Sequence, residues 1–89
     1  MEDEFKVEKE NKMKDLVASI AKSICDYPND VDVKEIPGTA SSIIEVKVNK
    51  QDLGKMIGKQ GHTATSIRNI IYAASFKFKK RYSLEILAK

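Results

Sequence analysis

Two glycines three positions apart, Gly58 and Gly61, constrain the fold of this chain more than any other feature of its sequence. A short helical pattern at about residues 50–57 stops at Gly58, and a longer amphipathic pattern begins directly after Gly61. The turn between the two predicted helices is therefore tight. Because glycine has no Cβ, the backbone of this turn can come close to a ligand. The unpaired N–H groups and the positive dipole end of the second helix face outward at the same place.

The segments before these helices predict one helix followed by two strands. Apolar residues recur at helical spacing from Met13 to Ile24, and this helix ends before Pro28. An alternating pattern follows, with a bulge or strand end at Ile36. One face of the second strand, which follows a polar loop at residues 39–42, consists of Ile44, Val46 and Val48. The short loop between the two strands predicts an antiparallel hairpin.

The helices on either side of the glycine turn have recognisable ends and faces. Asn49 can cap the short helix, and Asp52 suits the positive end of its first turn. The apolar stripe of the long helix consists of Ala64, Ile67, Ile71, Ala74 and Phe78, widened by Ile70. Alternation of Tyr82, Leu84 and Ile86 with polar residues then predicts a final strand.

The predicted order of elements, α-β-β-α-α-β, limits how the sheet is assembled. A helical crossover joins the second strand to the third, which favours parallel, adjacent strands with a right-handed connection. We therefore predict an α+β domain at residues 13–89, with a three-stranded mixed sheet and three helices packed on one face. The first helix must pack against the sheet, because a chain of 89 residues has a small core. Residues 1–12 are predicted to form a flexible acidic arm.

Length and composition exclude several classes of protein. The chain has 89 residues, 42% of them apolar and 33% charged, as in a single soluble globular domain. No apolar run is long enough to cross a membrane, and residues 1–4 lack the basic region of a secretory signal. Cys25 has no second cysteine to pair with, which favours a cytoplasmic location. One histidine and one cysteine offer few candidates for a catalytic triad or metal site, so we expect no enzyme, cofactor or small-molecule substrate.

The charge is distributed unevenly along the chain. The formal net charge is only +3, but residues 50–81 contain eight lysines and arginines against Asp52 alone, a local net charge of +7. Residues 1–49 contain eleven acidic and seven basic residues, a net charge of −4. A contiguous basic half is typical of a surface that binds a polyanion, and we favour nucleic acid over a membrane surface.

The glycine turn and its surroundings resemble a known family. The run I-G-K-Q-G at residues 57–61 resembles the I-G-x-x-G signature of KH domains, and it lies between two helices as that family requires. Asp52 and Gly54 upstream and Arg68 downstream strengthen the match. The additional N-terminal helix and strand resemble the type II KH arrangement. The whole of residues 13–88 is similar to the small stand-alone bacterial KH proteins of the KhpA type, also called YlqC-like.

The resemblance implies a site for single-stranded RNA, with a clamp of about four nucleotides. The residues that would meet the phosphates are Gly58, Lys59, Gln60 and Gly61. The residues that would line or approach the adjacent groove are Lys55, Ile57, His62, Thr65 and Arg68. Ile67 is expected to join Ile57 in an apolar floor for unstacked bases. His62 and Thr65 stand where relatives often carry basic residues, which weakens the expected phosphate contribution.

The resemblance also implies that the loop between the first two strands, at about residues 37–42, borders the groove. The basic run at the end of the long helix is expected to lie elsewhere, and its members are candidates for peripheral RNA contacts: Lys77, Lys79, Lys80 and Arg81. The neighbouring aromatic residues are expected to pack in the core or an interface instead of stacking on bases: Tyr72, Phe76, Phe78 and Tyr82.

The family implies an RNA chaperone or post-transcriptional regulator. One KH domain has a small footprint, so we expect a second module, either a homodimer or a heterodimer with a larger multidomain KH protein of the KhpB (Jag) type. Two other functions remain open. A degenerate KH fold serves as a protein-interaction module, and the helical pair at residues 50–78 offers His62, Thr65, Arg68 and Asn69 to a duplex DNA groove.

Overall fold

The computed structural model describes the backbone of residues 2–89 and the side chains of residues 12–89. Its helices are α1 (Glu2–Ile24), α2 (Leu53–Ile57) and α3 (His62–Phe78), and its strands are β1 (Asp32–Ile36), β2 (Ser41–Val48) and β3 (Arg81–Ala88). Short 3₁₀ turns occur at Pro28–Asp30, Lys50–Asp52 and Lys59–Gly61. This order confirms the α+β fold predicted from the sequence. The predicted flexible arm falls almost entirely on residues whose side chains lie outside the described part of the chain, and it stays a prediction.

The three strands form one mixed sheet in the order β1-β2-β3. β1 and β2 are antiparallel, as predicted for the hairpin, and β1 ends at Ile36. β2 and β3 are parallel and adjacent, with Ser41 opposite Arg81 and Ile44 opposite Leu84. The loop between β1 and β2 is shorter than predicted, because Ser41 and Ser42 already pair with β3. Because β2 and β3 begin at the same end of the sheet, the α3–β3 connection lies beside the β1–β2 loop.

The core lies between the helices and one face of the sheet. Its members are almost fully buried, namely Met13, Val17 and Ala21 of α1, Ile44, Val46 and Val48 of β2, Met56 of α2, and Ile67 and Ile71 of α3. The alternation in β2 and the helical spacing in α1 and α3 therefore predicted the buried faces correctly. Removal of this apolar surface from water is the main favourable contribution to folding.

Ile70 is a local exception to the predicted stripe of α3. Its side chain is 43% exposed, whereas Ile71 is 1% exposed. Successive residues of an α-helix are rotated by about 100° about the axis. Ile70 therefore points to a flank of α3 that stays open to solvent, and the prediction that it widens the buried stripe is wrong.

Candidate nucleic-acid interface

The glycine turn has a backbone conformation that most residues cannot adopt. Gly58 has φ +78° and ψ 170°, and Gly61 has φ +76°. A Cβ added at Gly58 would lie 2.2 Å from the hydroxyl oxygen of Thr63 and 2.7 Å from its backbone nitrogen. A Cβ added at Gly61 would lie within 4 Å of no other group, so glycine is needed at this position for its dihedral angles alone. Gly58 is needed for both reasons, because the first turn of α3 packs directly against it.

The tip of this turn exposes its polar side chains at the start of a helix. Lys59 and Gln60 are both exposed, and Gln60 has the left-handed φ of +57°. The Gly61 N–H donates to the Gly58 carbonyl at 3.1 Å, which closes the turn. Gly61 occupies the N-cap position of α3 and has no side chain with which to cap it. The positive end of a 17-residue helix therefore begins directly after the exposed residues Lys59 and Gln60.

A buried carboxylate connects the helix before the turn to the end of α1. Asp52 is fully buried, and its two oxygens accept the backbone N–H groups of Asp26 at 3.0 Å and Tyr27 at 2.9 Å. Asn49 caps the same segment by accepting the Gln51 N–H at 2.9 Å, which confirms its predicted role. Charge-assisted hydrogen bonds to backbone N–H groups are among the stronger ones in proteins. The position of α2, and with it the glycine turn, is therefore tied to the α1–β1 junction.

Lys55 on α2 is paired with an acidic residue from that junction. Its ammonium donates to the Asp26 carboxylate, and this hydrogen bond is the main reason why the pKa of Lys55 is raised above its ordinary value. Both side chains are exposed, and exposed ion pairs contribute little to stability. Lys55 therefore stays cationic near the turn, and a phosphate that approaches it competes with Asp26.

The remaining predicted groove residues divide into exposed and buried ones. Ile57, His62, Thr65 and Arg68 are exposed. Ile67 is only 2% exposed and packs in the core, because it lies on the stripe of α3 that faces the sheet. The prediction that Ile67 contributes to an apolar floor is therefore wrong. Ile57 is the residue of that pair whose side chain reaches the surface.

A trough runs between α3 and the outer edge of β3, and we call it the α3–β3 trough. Its first half has a volume of about 350 Å³ and is lined by Arg68, Asn69 and Tyr72 on α3 and by Tyr82, Ser83 and Leu84 on β3. Its second half, of about 690 Å³, is lined by Tyr72, Phe76, Lys79, Lys80, Arg81 and Tyr82, with Thr39 and Ala40 from the β1–β2 loop. The two halves share Tyr72 and Tyr82, so the trough is continuous from Arg68 to Arg81.

This arrangement corrects the expected place of the basic run. The sequence predicts that the basic run at residues 77–81 lies away from the loop at residues 37–42. In the structure, however, Thr39 and Arg81 line the same half of the trough. The cause is the parallel register, which sets the first residue of β2 beside the first residue of β3. Lys80 is paired with Glu35 of β1 at 3.1 Å and lies 5.6 Å from the centre of the Tyr82 ring. Lys77, Lys79 and Arg81 are exposed.

The aromatic residues of this region also divide into two groups. Phe78 and Tyr82 are partly buried against the core, as predicted. Tyr72 and Phe76 are 66% and 69% exposed, so they do not pack in the core, and the alternative that they belong to an interface stays a prediction. Their positions in α3 gave the signal, because neither falls on the stripe that contains Ile67 and Ile71.

The described residues contain neither a metal-binding cluster nor a membrane-spanning helix. Residues 12–89 hold no group of three or more acidic, histidine or cysteine side chains that is arranged to bind a metal ion. No described helix has both the length and the apolarity needed to span a bilayer. Cys25 is buried, and burial followed by the negative charge of Asp52 raises the pKa of its thiol.

A three-stranded mixed sheet with helices on one face, and a G-x-x-G turn between α2 and α3, defines a KH domain. The sequence model of the family described as "KhpA/KhpB, KH domain" matches residues 14–86, and the chain belongs to this family. The resemblance seen in the sequence is thereby confirmed. Because the family is not enzymatic, the prediction that this chain is not an enzyme is confirmed as well.

Known relatives of this chain are similar over nearly their whole length. The "RNA-binding protein KhpA" of Clostridium perfringens is 49% identical over 75 residues, which cover 84% of this chain and 100% of the relative. Its namesake in Caldanaerobacter subterraneus subsp. tengcongensis is 51% identical with the same coverage. A crystal structure of Era in complex with MgGDPNP and nucleotides 1506–1542 of 16S ribosomal RNA matches with a TM-score of 0.56. That match covers 86% of this chain and 30% of Era at 20% identity, and it shows likeness of fold alone.

Proposed function

We propose that this protein binds single-stranded RNA and holds its sugar-phosphate backbone at the Gly58–Gly61 turn. One observation carries the proposal. Thr63 packs so closely against Gly58 that the turn is held in a form that exposes Lys59 and Gln60 at the open N-terminus of α3. The relatives in Clostridium perfringens and Chlamydia caviae are named RNA-binding proteins, which supports the same class of ligand here.

At the turn, each group has a separate part in binding a phosphate. The glycines at 58 and 61 permit close approach of the backbone, and the first turn of α3 directs its N–H groups and positive dipole end at the anion. Lys59 contributes a mobile cation, and Gln60 donates hydrogen bonds through its amide. Lys55 joins them when a phosphate displaces the Asp26 carboxylate. Together these groups bind and neutralise about three phosphates. They make no contact that distinguishes one base from another.

Beside the turn, bases are proposed to enter the groove bordered by Ile57, His62, Thr65 and Arg68. Ile57 offers an exposed apolar surface next to the turn. Arg68 lies in the first half of the α3–β3 trough, where its guanidinium can stack on a base or donate to one. Because neither His62 nor Thr65 is a lysine or an arginine, the electrostatic contribution of this groove to RNA binding is small. Affinity for a short RNA is therefore modest.

A modest affinity is the reason to propose a second module. Two linked KH domains on one RNA strand raise the effective concentration of each, with no new contact within either domain. We propose a dimer, formed either by two copies of this chain or with a larger KH protein of the KhpB (Jag) type, that acts in the cytoplasm as an RNA chaperone or post-transcriptional regulator. Sedimentation of the protein alone and with RNA tests whether a second copy is present.

A competition experiment tests the proposed function against its alternatives. Single-stranded RNA, single-stranded DNA and duplex DNA of one mixed sequence compete for a labelled RNA. We expect single-stranded RNA to compete best, and the double variant Lys59→Asp with Gln60→Asp to lose binding while it keeps its thermal unfolding transition. The control is Lys34→Asp, which reverses an exposed cation on β1 at the opposite edge of the sheet.

The other outcomes each favour an alternative. If duplex DNA competes best, the α2–α3 pair acts as a DNA-binding element. If none of the three nucleic acids binds, the domain is an interaction module. If the double variant fails to unfold cooperatively, the turn has a structural role and the inference from its exposed side chains is lost.

A further inference from the structure

Two aromatic rings are exposed in the second half of the α3–β3 trough, away from the glycine turn. Tyr72 is 66% exposed and Phe76 is 69% exposed. Phe76 follows His62 by fourteen residues, which places it about 21 Å farther along the axis of α3. The two rings therefore belong to a different part of the surface from Lys59 and Gln60.

The geometry of the two rings is fixed before anything binds. Both extend from adjacent turns of one rigid helix. Their centroids are 5.0 Å apart and their planes meet at 84°, an edge-to-face contact of the kind that aromatic pairs favour. Both rings stay largely exposed to solvent while this contact holds their relative orientation. An aromatic face that is exposed and oriented in this way is a suitable platform for stacking a planar ligand.

The cations beside these rings give the platform its charge. Lys79 has the left-handed φ of +55° that ends α3, and Arg81 begins β3; both side chains are exposed at the rim of the trough. Lys80 between them is engaged by Glu35 at 3.1 Å. Among the described side chains that line this half of the trough, none is a carboxylate. Aromatic platforms beside cations are the combination that binds single-stranded nucleic acid.

The trough connects this platform to the proposed RNA groove. Arg68 lines its first half, and Tyr72 and Tyr82 line both halves. A strand held at the glycine turn that passes Arg68 therefore continues toward Phe76 without leaving the same depression. This continuity, with the positive charge of the rim, favours the same RNA strand over a separate ligand.

We propose that Tyr72 and Phe76 form a base-stacking subsite, with Lys79 and Arg81 contacting phosphates, that takes nucleotides of the bound RNA beyond those at the glycine turn. The proposal rests on the proposed RNA binding and adds a second, aromatic part to it. The protein then grips a longer strand than the four nucleotides of the turn, and its affinity increases with RNA length.

A length series with matched variants tests the subsite. The affinities of a tetranucleotide and a dodecanucleotide of mixed sequence are measured for the full chain, for Tyr72→Ala with Phe76→Ala, and for Ile70→Ala. Ile70 is the control because it is an exposed apolar residue on another flank of α3. We expect the aromatic double variant to bind the dodecanucleotide more weakly by about 5- to 150-fold, the range for loss of one stacked base. The control variant is expected to show no change, and the tetranucleotide is expected to lose less affinity than the dodecanucleotide, because only Tyr72 of the two rings also lines the first half of the trough.

The remaining outcomes separate the subsite from the proposed function. If the double variant binds the dodecanucleotide as well as the unchanged chain does, the subsite is refuted while RNA binding stands. Equal weakening for both lengths also refutes it, because the change then acts on the turn. If the unchanged chain binds neither RNA, the proposed function fails and the subsite with it. If the substitutions alter sedimentation and leave RNA affinity unchanged, the rings belong to a protein interface instead.

Discussion

Thr63 lies against Gly58 so closely that a side chain at Gly58 would overlap it, with 2.2 Å between the added Cβ and the Thr63 hydroxyl oxygen. The contact joins the end of α2 to the first turn of α3 across the glycine turn. It explains why Gly58 has a backbone conformation, φ +78° and ψ 170°, that only glycine adopts readily. The form of the proposed phosphate site is therefore set by packing inside the domain and does not depend on a ligand.

Substitution of Gly58 by alanine is expected to lower the free energy of unfolding by at least about 1–3 kcal/mol, the cost of that backbone conformation for other residues. Overlap with Thr63 adds to this cost. The matched control is Gly54→Ala, since Gly54 lies inside α2 and an added Cβ meets nothing within 4 Å. Urea unfolding should show that the free energy of unfolding of Gly54→Ala is about 0.5–1 kcal/mol higher than that of the unchanged protein. Equal stability of the two variants would contradict the packing described for the turn.

Substitution of Asp52 by asparagine is expected to destabilise the domain by about 1–3 kcal/mol. The side chain keeps its shape, but one of its two acceptor oxygens becomes an amide group that faces a backbone N–H. Asp32→Asn, which removes a carboxylate from an exposed position on β1, is the control and should leave the unfolding midpoint nearly unchanged. A midpoint for Asp52→Asn equal to that of the control would show that the two hydrogen bonds to Asp26 and Tyr27 contribute nothing.

The thiol of Cys25 reports on the same junction. Its pKa is raised by burial and by the charge of Asp52, so the native thiol should react with an alkylating reagent at least about tenfold more slowly than the unfolded chain. Because the pKa is raised in the folded state, the associated stability is fully present below the ordinary value of 9.0 and is lost as the pH rises through the folded-state pKa. Asp52→Asn should accelerate native alkylation. Native alkylation as fast as that of the unfolded chain would contradict the burial of the thiol.

Substitution of Asp26 by asparagine is expected to strengthen RNA binding by about two- to fivefold, because the carboxylate no longer competes with phosphate for Lys55 and exposed ion pairs are worth up to about 1 kcal/mol. Asp32→Asn removes the same charge at another place on the surface. If both variants gain affinity equally, net charge accounts for the effect and the Asp26–Lys55 pair plays no part in binding.

The salt dependence of affinity measures how many phosphates the turn neutralises. For about three phosphates on a single strand, the logarithm of the association constant should fall with the logarithm of salt concentration at a slope of about −2. A tetranucleotide is the appropriate ligand, since we expect it to end before Lys79 and Arg81 at the far end of the α3–β3 trough. Lys59→Asp should make the slope shallower. A flat response in the unchanged protein would exclude a phosphate clamp.

Periodicity predicted most of the fold because one face of each long element is buried. Ile44, Val46 and Val48 alternate along β2, and the helical spacing of Ile67 and Ile71 marks the core face of α3. Gly58 and Gly61 also predicted the turn between α2 and α3 correctly. Both have a positive φ, which glycine adopts without steric cost, so this signal is local to the sequence.

The features that the sequence did not predict depend on residues far apart in the chain. The partners of Asp52 are backbone N–H groups of Asp26 and Tyr27, which belong to another element. Backbone N–H groups are present at nearly every residue, so the sequence does not indicate which of them Asp52 contacts. The sequence predicts only that Asp52 interacts with the positive end of a helix. The basic run lies beside the β1–β2 loop because of the parallel register of β2 and β3, which neither segment specifies by itself.

The most direct test of phosphate binding at the Gly58–Gly61 turn is an NMR titration of isotope-labelled protein with a short mixed-sequence single-stranded RNA. We predict that the largest shifts occur at the backbone amides of residues 58–61 and in the first turn of α3, with smaller shifts at Arg68. The core amide of Ile44, in the middle of β2, should stay in place and serves as the internal reference. Amides at residues 58–61 that do not move at millimolar RNA would contradict the proposed function.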